Sequence, residues 1–488
     1  MVQSIVEAVE YFAQQTPDSL CIADENFAYT YREIWQKVEM YAEALKKRDV
    51  HKEDKIVVEC TQDAKYMILC LACQRIGAVF VPVENKMILE RVAQIAEDVD
   101  AKLFFTENIK TGLKQECNIA VLEQETVETV EQKIAYPTGD DIAEILFTTG
   151  TTGKSKGIIL SNENNIAIAE NIISGIKKER NCVELIFFPL SHSHGIRSCY
   201  ANLLNGSASV IVKNIMNLKW TFYAMTKYKV TALDLSPNAA RILLKLSKGA
   251  LGDYKKQITC VQIGTAFLDE ELKTELIRML PQSRLYNFYG STESGRVCVL
   301  DFNRIRGKEG CIGKPAVNAR FMMTDEERNP VQTTREHLGL IAVSGKMNMV
   351  GYLNDKELTD KTKHGGYIYT NDLGYIDQDG YIFVLGRTDD VINYKGIKIM
   401  PEEIEKQVLK YEEVADCACV AEDDKMCGQI PKLFIQVKDK KKFKEIDLIK
   451  FLSNSIDRSR MPQKIVVIDE IPRTSNGKIL RRKLRERI

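Results

Sequence analysis

Short β-branched and aromatic runs alternate with segments of helical spacing along most of this chain, and that alternation restricts the fold more than any other feature. Ile56-Val57-Val58, Val79-Phe80-Val81-Pro82-Val83, Leu103-Phe104-Phe105 and Ser209-Val210-Ile211-Val212 read as strands, with Tyr66 to Gln74 and Leu89 to Glu97 reading as helices between them. Repeated β–α–β units imply largely parallel sheets covered by helices on both faces. Beyond about residue 340 the texture shortens. Gly366-Tyr367-Ile368-Tyr369 and Asp379-Gly380-Tyr381-Ile382-Phe383-Val384 alternate between Gly and Asp turns, which predicts a small antiparallel β unit. From Thr388 onward a helix (Pro401 to Lys410), a strand (Leu433 to Val437), a helix (Ile446 to Leu452) and a strand (Ile465 to Ile468) predict a small α+β domain.

At 488 residues the chain exceeds one ordinary core and suits two to four domains or subdomains. Its 68 basic and 68 acidic residues cancel, which argues against a nucleic-acid partner. Met1 to Thr16 carries Glu7 and Glu10 among spaced apolar residues, an amphipathic helix without the basic start of a signal peptide. The most apolar window, Tyr66 to Val83, contains Gln74, Arg75 and Gly77 and turns from helix-like to β-branched, so a buried helix and strand are expected there, not a membrane span. Thirteen scattered cysteines include Cys70 and Cys73 in an apolar segment, and Cys417, Cys419 and Cys427 with no nearby histidine. Buried reduced thiols in a cytoplasmic protein are the expectation.

Five clusters carry chemistry. The segment Thr148-Thr149-Gly150-Thr151-Thr152-Gly153-Lys154-Ser155-Lys156-Gly157 directly follows Ile145-Leu146-Phe147. Glycines let backbone N–H groups approach an anion, hydroxyls add donors and lysines add charge, so this is a polyphosphate cradle. A Walker A loop requires glycine where this chain has Thr148, so the cradle is of another kind. Phe188-Pro189-Leu190-Ser191-His192-Ser193-His194-Gly195 places two histidines on a loop after an apolar run. Metal ligation and simple packing are both open for such a pair, and packing is the commoner. Asn287-Phe288-Tyr289-Gly290-Ser291-Thr292-Glu293 ends in a carboxylate suited to magnesium or to an exposed turn. Asp372, in Tyr369-Thr370-Asn371-Asp372-Leu373-Gly374, suits ribose hydroxyls or a turn cap. Pro472-Arg473-Thr474-Ser475-Asn476-Gly477-Lys478 places a lysine on a glycine-containing loop, where lysines are usually solvated.

Taken in order, these segments make the chain resemble the adenylate-forming superfamily of acyl-CoA synthetases, adenylation domains and beetle luciferases. The likeness is carried by TTGTTGKSKG, FPLSHSHG, NFYGSTES, GLIAVSGKMNMVGY, YTNDLGYIDQDGYIFVLGRTDDVINYKGIKIMPEEIE and PRTSNGKILRRKL. The resemblance implies an α/β fold with a large N-terminal domain, residues 1–387, and a mobile C-terminal lid, residues 388–488, hinged at Asp389. It implies that a carboxylate attacks the α-phosphate of MgATP to give an acyl-adenylate and pyrophosphate, after which a thiol displaces AMP. Thr148, Thr149, Gly150, Thr151, Thr152, Gly153 and Lys156 match the loop that holds the β- and γ-phosphates. Thr292 matches the α-phosphate contact, with Asn287, Tyr289 and Gly290 beside the nucleotide, and Glu293 matches the magnesium carboxylate. Asp372 and Arg387 match the ribose contacts, and Lys478 the lysine that bridges carboxylate and nucleotide during adenylation. His192 aligns with a gate beside the reacting carboxylate, a role that displaces the metal reading. His194, Gly264, Thr265, Ala266 and Gly290 fall where the family lines its acyl pocket, and Gly396 and Lys398 where it lines the thiol tunnel. Ser155 stands at a usual proline, Asn371 at a usual glycine and Leu340 at a frequent glutamate, and none of the three removes a group the chemistry needs.

Phe187-Phe188-Pro189-Leu190 lacks the aspartate that amino-acid-activating members use for the substrate ammonium, which favours a fatty or aryl acid. Arg197 near the pocket suits a polar or dicarboxylic substrate, or else points to solvent. The acceptor is expected in trans, coenzyme A first and a separate acyl carrier protein second. A stand-alone amino-acid adenylating enzyme and a non-catalytic nucleotide-binding protein are the remaining alternatives.

Overall fold

A computed structural model of the protein describes residues 2–85, 87–107, 116–124, 135–149, 155–308, 310–395, 397–474 and 479–486. The chain divides into two compact units, residues 1–321 with 343–368, and residues 322–342 with 369–488.

The first unit opens with the expected amphipathic helix, Ile5–Gln15, whose Ser4 cap accepts from the Glu7 amide and whose Ile5, Val6, Val9 and Phe12 are buried. Two sheets follow. One has seven strands in the order Gly351–Tyr352, Ser155–Ser161, Ile142–Thr149, Val79–Val83, Lys55–Glu59, Ala101–Thr106 and Glu116–Asn118. Lys55–Glu59 pairs in parallel with both Val79–Val83 and Ala101–Thr106. Helices Ala64–Arg75 and Leu89–Asp98 make the crossovers that parallel pairing requires. Asp63 caps Ala64–Arg75 through the Tyr66 amide, and the helix is buried on nearly every side, which accounts for its unbroken hydropathy. Among the described residues no helix is long and apolar enough to cross a membrane. Cys70 and Cys73 sit in that helix as buried free thiols, like most of the other cysteines.

The second sheet positions the site. Within the first unit its strands run in the order Cys311–Pro315, Gly295–Asp301, Arg284–Ser291, Cys260–Ile263, Ala232–Leu235, Val183–Ile186, Ala208–Ile211, Leu20–Ala23 and Ala28–Thr30. From Arg284–Ser291 to Leu20–Ala23 every neighbouring pair is parallel, and antiparallel strands flank that run. Six adjacent parallel strands therefore end on the same edge, and in open α/β sheets that carboxyl edge is where ligands bind.

The second unit carries the antiparallel texture read from the sequence. Tyr367–Ile376 pairs with Ile382–Arg387, opposing Asp372 to Arg387. Its α+β portion joins Val414–Asp424 and Gly428–Val437 as a long hairpin, with Lys464–Val467 parallel to the latter. Helices Pro401–Val408 and Glu445–Ser453 bury Ile404, Val408, Leu448 and Leu452 against Leu433 and Ile435. Strand Val414–Asp424 carries acidic residues at its far end and no clean alternation, and it went unread in the sequence.

Candidate active site

Three expected clusters follow strands of the parallel run. The histidine loop follows Val183–Ile186, the Gly264-Thr265-Ala266 turn follows Cys260–Ile263, and Asn287 to Glu293 closes Arg284–Ser291. Residues far apart in sequence thus share one edge because their strands are neighbours in register, Leu235 facing Ile263 and Ile263 facing Asn287.

The cradle lies on the other sheet. Its flanks form an antiparallel hairpin, Ile142–Thr149 with Ser155–Ser161, in which Thr148 opposes Lys156. Gly150, Thr151, Thr152 and Gly153 lie outside the described residues. Tyr352 links this hairpin to the loop that ends the other sheet's Arg284–Ser291. It pairs opposite Ile158, the Lys156 ammonium sits 5.6 Å from its ring centroid, and its hydroxyl donates to Glu293 Oε1 at 2.9 Å. Burial and then the Glu293 charge push the Tyr352 phenol well up, so it stays protonated and serves as that donor. The Met349 amide also donates to the Glu293 carbonyl at 2.8 Å. Thr292 and Glu293 occupy the turn between Arg284–Ser291 and Gly295–Asp301, after a bulge between Tyr289 and Gly290. A Cβ at Gly290 would stand 2.0 Å from the Gly295 carbonyl oxygen, so only glycine permits this hairpin.

The histidine loop is clamped by Gln62, whose side chain donates to the Phe188 carbonyl and accepts from the Leu190 amide, both at 2.8 Å. His192 precedes helix Ser193–Asn205, and its Nε2 lies 3.0 Å from Glu84 Oε1. Hydrogen bonding to His192 holds the Glu84 carboxyl below its usual range. His194 turns to a different acid, its Nε2 2.7 Å from Asp234 Oδ1. The two rings therefore do not chelate together, and among the described residues no cluster of three His, Cys, Asp or Glu is placed to hold a metal. His194 stacks on Phe188 with centroids 3.5 Å apart and meets the edge of Phe288 at 4.8 Å. Phe288 in turn lies over Gly264, where a Cβ would come within 2.3 Å of its ring. The expected pocket residues His194 and Gly264 are thereby joined through one aromatic ring. Thr265 follows with φ of 75°, a left-handed conformation that is strained for a β-branched residue.

Arg197 neither faces solvent nor waits for a substrate acid. It is 3% exposed and ion-paired with buried Glu144, which also accepts from the Tyr200 hydroxyl.

In the second unit Asp372 and Arg387 pair at 2.9 Å, and Arg387 also reaches Asp389 at 3.4 Å. Asn371 answers the missing glycine before Asp372. Its φ is 60°, the left-handed region that asparagine tolerates better than most residues, and its carbonyl accepts from Thr388 Oγ1 at 3.2 Å. Lys398 makes an exposed 3.6 Å pair with Glu326. Gly396 and Lys478 lie outside the described residues.

The family model for AMP-binding enzymes matches residues 9–353, a span that holds the cradle, the histidine loop and Glu293, and the model of the AMP-binding enzyme C-terminal domain matches 403–478. The chain belongs to the AMP-binding enzyme family. As a member of the adenylate-forming superfamily it is an AMP-forming ligase of the acyl-CoA synthetase type. This AMP-binding enzyme is similar to a probable CoA ligase, CCL5, of Humulus lupulus, 26% identical and covering 93% of this chain and 87% of the relative. It is 27% identical to peroxisomal OPC-8:0-CoA ligase 1 of Arabidopsis thaliana, covering 93% and 88%. Its fold matches o-succinylbenzoate CoA synthetase of Bacillus subtilis bound to an acyl-adenylate, with a TM-score of 0.88, 22% identity and coverage of 98% and 97%. ATP-bound MatB of Rhodopseudomonas palustris gives 0.88 and 21%, covering 98% of each chain.

Gln62, Glu84, Asp234 and Tyr352 escaped sequence reading. Tyr352 ends the quoted GLIAVSGKMNMVGY stretch and was within reach, whereas a lone acid such as Asp234 in an apolar strand gives no local signal of its partner.

Proposed function

We propose that this enzyme activates a carboxylic acid with ATP and passes the acyl group to coenzyme A, with a fatty or aryl acid as substrate. In the first step a carboxylate oxygen bonds to the α-phosphorus, the bond to the β-phosphate bridging oxygen breaks, and pyrophosphate leaves. In the second, a thiolate sulfur bonds to the acyl carbon and AMP leaves. The observation that carries the reading is the Lys156, Tyr352 and Glu293 chain, which ties the anion cradle to a carboxylate one residue beyond Thr292.

In this reading Thr148, Thr149, Gly150, Thr151, Thr152, Gly153 and Lys156 take the β- and γ-phosphates, and Thr292 the α-phosphate, beside Asn287, Tyr289 and Gly290. The repulsion between two anions is the main barrier, so positioning and charge dominate catalysis. Glu293 supplies a hard carboxylate oxygen of the kind magnesium takes, and bound magnesium would neutralise phosphate charge. Tyr352 orients that carboxylate. Asp372 and Arg387 take the ribose, Lys478 bridges acid and nucleotide, and His192 gates the reacting carboxylate. Gly396 and Lys398 border the thiol path, and residues 388–488 turn about Asp389 between the two steps. Thirteen free thiols support the reducing cytoplasm as the working compartment.

The test is carboxylate-dependent pyrophosphate exchange across fatty, aryl and amino acids, followed by thioester detection with coenzyme A and with an acyl carrier protein. Exchange with fatty or aryl acids and a thioester on coenzyme A is expected. ADP as the product, or no exchange with any acid, defeats the proposal. Lys478→Ala should lower adenylation by ~10²-fold or more while sparing thioester formation from supplied acyl-adenylate. Equal loss of both steps would contradict the two-state assignment.

A further inference from the structure

We infer that the amino edge of the second sheet carries a docking surface for the anionic face of a lipid bilayer. The surface is built from the ends of two helices and a short turn, and it stands independently of the adenylation reading.

Its signal in the sequence is a local departure from neutrality. The chain as a whole has no net charge, yet residues 218–256 hold eight lysines and arginines against two acids, one of which, Asp234, is buried. Topology gathers the surplus. Helix Leu218–Lys227 joins Ala208–Ile211 to Ala232–Leu235, and helix Pro237–Ser247 joins Ala232–Leu235 to Cys260–Ile263, stepping in the same direction across the sheet. Right-handed crossovers that step in one direction lie on one face, and each helix runs back against its strands, so both helices end at the amino edge. The turn Ala250–Tyr254 closes the group. Tyr254 stacks on Phe222 with centroids 5.7 Å apart and shares a 2.8 Å hydrogen bond with Thr226, while Gln257 donates to the Met225 and Val230 carbonyls, both at 2.8 Å. Helix Pro237–Ser247 packs against this turn and against helix Leu218–Lys227.

Six exposed lysines share this corner: Lys227, Lys229, Lys245, Lys248, Lys255 and Lys256. Their basic neighbours Lys213 and Arg241 are paired with Asp63 and Asp269, whereas none of the six has an acid partner among the described residues. Attraction to the helix dipole accounts for Lys227 and Lys245, each in the last turn of its helix. It does not account for Lys255 and Lys256, or for the apolar groups beside the lysines, Tyr223 and Leu246, which are 52% and 39% exposed. The Lys227 ammonium lies 5.5 Å from the Tyr223 ring centroid and 4.9 Å from that of Tyr228. Lysines around an exposed tyrosine and leucine fit a headgroup layer, where ammonium groups meet diffuse negative charge and apolar groups enter the acyl boundary. All six charges are on flexible lysine stems, without the arginine forks that nucleic-acid recognition favours. Docked in this way, the sheet turns its carboxyl edge away from the lipid.

The experiment sediments the full chain with vesicles of phosphatidylcholine alone and of phosphatidylcholine with phosphatidylserine. Each lysine near an anionic surface contributes roughly a fivefold factor, so binding to vesicles with about 30 mol% phosphatidylserine at about 0.05 M salt should be at least about tenfold tighter than to phosphatidylcholine. Salt at about 0.5 M should remove the difference. Lys245→Glu, Lys248→Glu, Lys255→Glu and Lys256→Glu together should weaken binding to the mixed vesicles by at least about tenfold, whereas Lys441→Glu with Lys442→Glu, at exposed lysines of the second unit, should leave it within about twofold. Should the fourfold variant fail to fold, Lys255→Gln with Lys256→Gln takes its place, with a loss of at least about fivefold expected. Equal binding to the two kinds of vesicle, variants at this corner that bind as the wild type does, or an equal loss in the Lys441 and Lys442 variant overturns the inference. Tighter binding to double-stranded DNA than to the mixed vesicles, at equal phosphate concentration, also overturns it.

Discussion

Gly264→Ala places a methyl group where the Phe288 ring already sits. The new Cβ would lie 2.3 Å from two ring carbons and 2.7 Å from a third, against the 3.4 Å at which ordinary contact begins, so the ring must retreat by about 1 Å. It has little freedom to do so. The Arg296 guanidinium lies 3.7 Å from its centroid on one face, and His194 approaches at 4.8 Å. Overpacking of this kind costs about 1–3 kcal/mol, and because the proposed acyl pocket includes Gly264 the cost should reach the acid substrate. kcat/KM for the acid should fall by between roughly five- and a hundredfold while KM for ATP stays within a factor of about two. Pyrophosphate exchange at varied acid and varied ATP measures both, and urea unfolding records whatever part of the strain appears as lost stability. Gly264→Ala with Phe288→Leu should recover more than half of the loss, since the smaller side chain vacates the contested volume. Effects that simply add in the double variant, or a single variant with wild-type kinetics and stability, would refute the steric reasoning.

Tyr352→Phe removes the donor that orients Glu293 and should slow adenylation by about tenfold, the value of a hydrogen bond to a charged group, in a magnesium-saturated exchange assay; an unchanged rate sinks the orienting role. Lys178→Met leaves Glu184 buried with, among the described residues, only Asn202 and Gln262 as hydrogen-bond partners. A loss of about 3–5 kcal/mol in urea denaturation is expected, and less than about 1 kcal/mol would show that the pair is dispensable. Burial pushes Glu402 up to about 7 from an ordinary 4.5, although Arg481 opposes the shift. The folded state then holds a proton that the unfolded state has released, so this carboxyl's contribution is complete below about pH 4.5 and is lost as pH rises through 7. The urea midpoint of the wild type should fall over that interval more than that of Glu402→Gln, and parallel pH profiles would contradict it.

The α/β layering was legible because the strands are buried on both faces and read as continuous apolar runs, as Val79–Val83 does with every residue covered. The α+β end was legible through helices with one apolar stripe, such as Pro401–Val408. The site was legible where a single segment carries the chemistry, as in the cradle and in Asn287 to Glu293. It was not legible where function depends on cross-strand neighbours. Arg197 looked available to a substrate from its place beside the histidines, yet helix Ser193–Asn205 turns it inward onto Glu144, 53 positions earlier in the chain. Asp234 offers nothing locally that points to His194, and only sheet order brings the two together. Asn371 reads as a loss when compared with glycine and as an equivalent once its backbone conformation is known.

The buried ions Asp234, Arg296, Glu184 and Lys178 have a consequence for how such an enzyme diverges. Because His194 is hydrogen-bonded to buried Asp234, and Arg296, Glu184 and Lys178 are buried as well, a change made there by altering charge disturbs the balance of a region remote from solvent. Viable variants should arrive as paired exchanges, an acid lost together with a base, or through rings of unchanged charge such as Phe188 and Phe288. New specificities in this lineage would then be reached more readily by reshaping apolar walls than by recruiting new ions, and an engineered library restricted to those walls should retain more folded members than one that randomises Asp234 or Arg296.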